Sequence, residues 1–122
     1  MSYDKNGATT GFASPASQYL EAVIDLAAIL DLRKPSMYPV RVTGGSYPAR
    51  GIAERDILLV DAAADRAPDR VAVVMSAGEV YLAVLKRRGP SWAVVRADGA
   101  EIEVAGDIEV WGIVTASVRE SV

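Results

Sequence analysis

The 122-residue chain contains no cysteine and no histidine. Those absences exclude disulfides, thiol nucleophiles, imidazole bases and nearly every zinc or transition-metal site, so no metal and no cofactor is expected. Lysine is scarce as well: Lys5, Lys34 and Lys86 are the only lysines among the 13 basic residues. Any chemistry therefore falls to Ser, Lys, Tyr or the carboxylates. No apolar run approaches the roughly 20 residues that span a bilayer, and the opening MSYDKNGATT lacks the basic-then-apolar layout of a secretory signal. A cytoplasmic protein without membrane contact is expected. The net charge of −3 and a pI near 4.9 argue against a direct grip on nucleic acid, which relies on clustered positive charge.

What is present suits one folded domain. The composition, 51% hydrophobic and 24% charged, supplies a core, and the length leaves no room for two. Residues 1–10 are small and polar and read as a flexible arm, with the domain running over 11–122. From Ala16, the residues Tyr19, Val23, Leu26, Ala27 and Leu30 fall at helical spacing, and Lys34-Pro35 should stop the helix. Ser14-Pro15 and Ile24-Asp25 also allow a division into an extended arm and a short helix from about Asp25.

Beyond Pro35 the pattern changes to short β-branched runs: 38–43, 57–61, 71–75, 79–86, 92–96, 102–104 and 108–117. Turn signals separate them, among them Ser76-Ala77-Gly78, Arg88-Gly89-Pro90 and Asp98-Gly99. A mainly β, compact domain of about seven short, mostly antiparallel strands with one short N-terminal helix is expected. Trp92 and Trp111 lie in apolar strands and read as packing residues of the core or of a dimer interface. Glu101, Glu103, Asp107 and Glu109 read as a solvated strand face, and Lys86-Arg87-Arg88 as a hairpin end in water.

One segment stands out for chemistry. In Val42-Thr43-Gly44-Gly45-Ser46-Tyr47-Pro48 a strand runs into two glycines and a serine. Glycine permits a left-handed backbone and close approach, so Gly44, Gly45 and Ser46 can aim a hydroxyl and backbone N–H groups at one point, as an oxyanion site requires. An ordinary surface turn has the same composition.

Several further blocks bear on the choice. Gly11-Phe12-Ala13-Ser14-Pro15-Ala16-Ser17 with Tyr19 resembles a GFPSPA…Y segment, and Ile24-Asp25-Leu26 the IDL that follows it. Gly44-Gly45-Ser46-Tyr47 stands where a G-D-S-M motif is expected, and Gly51-Ile52 through Asp56-Ile57-Leu58-Leu59-Val60-Asp61 resembles GI-x-x-GD-x-L-x-VD. Gly78-Glu79-Val80-Tyr81-Leu82 resembles GEFTV, and Val110-Trp111-Gly112-Ile113-Val114 resembles VFGVV. Together these blocks resemble the LexA/UmuD family of Ser-Lys autopeptidases, the S24 group, and its UmuD branch in particular.

The resemblance implies a C-terminal-type β-domain of that family over residues 11–122, with Ser46 as nucleophile. It also implies a general-base lysine 37 positions later. That position holds Ala83. Such a base must be a buried, desolvated amine that is neutral near pH 7. Lys86 lies about 10 Å further along the strand, at an odd offset that turns it to the opposite face. Lys5 and Lys34 match no part of the motif. Loss of one member of a comparable unit costs on the order of 10⁴ to 10⁶ in rate.

Gly45 and Tyr47 also depart from the motif, and the bond expected to be cut is Thr10-Gly11 rather than Cys-Gly or Ala-Gly. The resemblance then implies an inactive homologue acting as accessory subunit of an error-prone translesion polymerase of the polymerase V type in the SOS response to DNA damage. Its implied partners are a second copy in a homodimer, a Y-family polymerase subunit and a recombinase filament on single-stranded DNA. The alternative is an active autopeptidase cleaving near Thr10-Gly11, with Ala83 an engineered replacement for the lysine.

Overall fold

The computed structural model of the chain describes residues 23–121. The arm, Thr10-Gly11 and the GFASPAS block lie outside them. The chain divides into two units, Met1–Leu32 and Arg33–Val122.

In the first unit, α1 (Leu26–Ile29) is a single turn. The Asp25 carboxylate caps it by accepting from the Ala28 N–H at 3.3 Å, and Leu32 N–H donates back to the Ala27 carbonyl at 2.9 Å. Asp31, with φ 55°, takes the left-handed conformation that ends the turn before Pro35 is reached. Of the two helix readings, the described residues carry the short one. No described helix is long and apolar enough to cross a membrane.

The second unit is one seven-stranded antiparallel sheet: β1 (Met37–Arg41), β2 (Ile57–Asp61), β3 (Val71–Ser76), β4 (Glu79–Arg88), β5 (Ser91–Arg96), β6 (Glu101–Glu103) and β7 (Glu109–Val118). Every run expected from the sequence is present, with ends moved by a residue or two. The strand order is β1-β2-β7-β3-β4-β5-β6, so β3 to β6 form a meander and β7 returns between β2 and β3. Ala77 and Gly78, both at positive φ, close the β3–β4 hairpin as a two-residue turn whose twist suits the strands.

β7 carries two irregularities. Its pairing with β2 passes from Leu59↔Ala116 to Val60↔Val114, and its pairing with β3 from Val73↔Gly112 to Val74↔Val110. Thr115 and Trp111 are thereby extra residues, each bending the strand and increasing its twist. The Thr115 hydroxyl donates to the Leu59 carbonyl at 3.2 Å, and Trp111 packs against Tyr38 with ring centroids 5.4 Å apart.

Alternation along the strands gives each face its own cluster. Val71 belongs to one with Val42, Tyr47, Ile52, Leu58, Val60 and Val114. Ala72 and Val74 belong to the other, with Ala83, Leu85, Val94 and Ile113. Full burial of residues such as Leu58, Leu85 and Ile113 contributes about 1.5–3 kcal/mol each.

Candidate functional site

The β1–β2 connection, residues 42–56, is folded on itself. Val42 N–H donates to the Asp56 carbonyl at 2.9 Å and Arg55 N–H to the Val42 carbonyl at 2.8 Å. Nearer the tip, Tyr47 and Ile52 exchange backbone hydrogen bonds of 2.9 and 3.2 Å around the 3-10 turn Pro48–Arg50. Tyr47 is 6% exposed, and its hydroxyl donates to the Val95 carbonyl at 2.9 Å. The residue that departs from the family's Met is thus the anchor of the loop.

With Tyr47 buried, the residue before it is turned outward. Ser46 is exposed, and its hydroxyl has no hydrogen-bond partner among the described residues. Gly44 takes φ 69°, a conformation that costs other L-residues about 1–2 kcal/mol, and its N–H faces the Glu54 carboxylate at 3.4 Å. Thr43 to Ser46 form one side of a hollow of about 500 Å³. Val42, Leu58, Val73 and Leu82 contribute apolar lining, and Arg96 to Asp98 line it as well. The Arg96 guanidinium lies 4.0 Å over the Tyr81 ring and reaches Glu79 at 3.4 and 3.5 Å.

No lysine lines this hollow among the described residues. Lys34 lies 2.7 Å from Asp61, and Lys86 lies 3.4 Å from Glu101, which Arg88 also holds. Both amines are engaged with carboxylates elsewhere; Lys5 is outside the described residues. Ala83 is fully buried among Ala72, Val74, Leu85, Val94 and Ile113, while its neighbour Leu82 packs on the cluster containing Tyr47. The structure brings Gly44, Gly45 and Ser46 together at the hollow and does not bring Ala83 to it.

Two buried carboxylates brace the loop and the strand after it. Asp56 accepts both prongs of Arg119, at 2.8 and 2.9 Å, and the Ala53 N–H at 2.9 Å. The guanidinium first, and the Ala53 N–H second, hold its carboxyl down at about 2. Asp61 accepts from Lys34, Ser36 and the Ala63 N–H, and is held down at about 2 by Lys34 first. Sequence reading placed Asp56 in a motif but gave no sign of Arg119, because that pairing joins residues 63 positions apart. Arg96 was missed for the same reason: only the meander brings β5 beside the Ser46 loop.

The arrangement offers an exposed hydroxyl at a hollow of mixed apolar and charged lining, with no lysine among the described residues that line it. Protein SamA of Salmonella typhimurium (strain LT2) is 27% identical to this chain over 112 residues, 91% of this chain and 79% of SamA. Residues 5–115 match the family described as Peptidase S24-like. The chain belongs to the Peptidase S24-like family.

Proposed function

We propose that this protein is a UmuD′-like accessory subunit of an error-prone translesion DNA polymerase of the polymerase V type, and that it does not cleave itself. The observation that carries the reading is a nucleophile-position serine, Ser46, at a hollow with no lysine among the described residues that line it. A serine hydroxyl is a weak nucleophile until a neighbouring base takes its proton. On this reading Ser46 keeps its place in the family fold without, among the described residues, a lysine beside it. The GFASPAS and IDL blocks support the UmuD branch within the family.

On this reading the protein works in the cytoplasm as a homodimer during the SOS response. It binds a Y-family polymerase subunit and a recombinase filament on single-stranded DNA, and its acidic charge leaves DNA contact to those partners. The test is co-elution of the purified protein with the Y-family polymerase of the same organism. A stable complex is expected. Separate elution of the two at micromolar concentrations would contradict the role.

The second reading, an autopeptidase acting at Thr10-Gly11, draws on the exposed Ser46 hydroxyl. It requires a product that begins at Gly11.

A further inference from the structure

We propose that Arg119 and Glu120, just past the end of β7, are a latch on the loop that presents Ser46, so that the order of this loop depends on how the end of β7 is held. The last ladder pair of β7 is Val118 with Ile57, which sets Arg119 beside the start of β2. From there its guanidinium grips the returning limb of the loop at two places. Nε and one terminal nitrogen bind the two oxygens of Asp56, and that same nitrogen reaches the Gly51 carbonyl at 3.2 Å. Glu120 adds a second arm: Arg41 donates to it at 2.8 Å and to the Arg55 carbonyl at 2.9 Å.

The grip passes to the limb that bears Ser46 through the two cross-ties already in the loop, Val42 with Arg55 and Asp56, and Tyr47 with Ile52. Asp56 is only 3% exposed. Without Arg119 it keeps one N–H, that of Ala53, for a buried negative charge, and the nearest relief is for the limb to swing towards water. β3 pairs with β7 no further than Ile113, so Val114 and Ala116 to Val118 have a ladder partner in β2 alone. The device stands apart from the polymerase reading and from any activity of Ser46.

Amide hydrogen exchange of the whole protein tests it, comparing wild type with Arg119→Ala, Arg119→Lys and Glu120→Ala. In Arg119→Ala the amides of Val42, Tyr47, Ile52 and Arg55 should exchange roughly tenfold faster or more, with those of Val74 and Tyr81, a hydrogen-bonded pair of the β3–β4 ladder, unchanged. Arg119→Lys keeps the charge without the two-pronged geometry and should fall between, and Glu120→Ala should give the smallest loop-only effect. Should Arg119→Ala not fold, the Lys variant decides by the same criterion. Unchanged loop exchange, or an equal rise in the loop and in β3–β4, overturns the latch.

Discussion

Asp56 and Asp61 have single-residue consequences that can be read in solution. Each carboxyl is held at about 2, below its ordinary 3.8, by a cation and by N–H or O–H donors. A folded pKa below the unfolded one contributes stability at pH above the unfolded value, and that contribution is lost as pH falls through the folded value. The urea midpoint should therefore hold above about pH 5 and drop between about pH 4 and pH 2. In Asp56→Asn the drop should be shallower, because one of the two groups no longer titrates. A midpoint independent of pH across that window would contradict the ion-pair assignments. Arg55 offers the opposite case: it holds φ 78° where the resembled motif has Gly. Its exposed side chain makes no hydrogen bond among the described residues, so Arg55→Gly should stabilise the protein by about 1 kcal/mol, read from the shift in urea midpoint.

Among the elements, β7 has the tightest constraints. A Cβ on Gly112 would lie 2.6 Å from Val60 Cγ1 and 3.2 Å from the Asp61 carbonyl oxygen. Val60 is fully buried and cannot step aside, so Gly112→Ala should cost about 1–3 kcal/mol in thermal or urea unfolding. All seven strands could be located from the sequence, because β-branched runs between turn residues report a half-buried strand locally. The sheet order could not, since the return of β7 between β2 and β3 and its extra residues Trp111 and Thr115 follow from long-range pairing. The site divides in the same way. Gly44, Gly45 and Ser46 were legible as a local motif, whereas Arg96 and Arg119 reach it only through the folded sheet. Tyr47 read as a departure from the motif, and the fold adds that its buried ring and its hydroxyl on Val95 anchor the loop beside Ser46.

For the whole molecule, membership of the Peptidase S24-like family and the scarcity of lysine bear on one question. The described lysines, Lys34 and Lys86, are engaged with Asp61 and Glu101 and do not line the hollow at Ser46. Lys86 is the nearest in sequence to the expected base, yet it lies on β4 paired across from Ala93 and turned to Glu101, so Lys86→Ala should leave the behaviour of Ser46 unchanged. The most direct measurement is the intact mass of the purified protein after incubation with recombinase filaments on single-stranded DNA, and separately at alkaline pH. Each incubation is run beside Ser46→Ala. The 12.9 kDa chain should persist whole in every sample. A fragment that begins at Gly11 in the wild type and is missing from Ser46→Ala would show that Ser46 cuts, and the account of a non-cleaving subunit would be wrong.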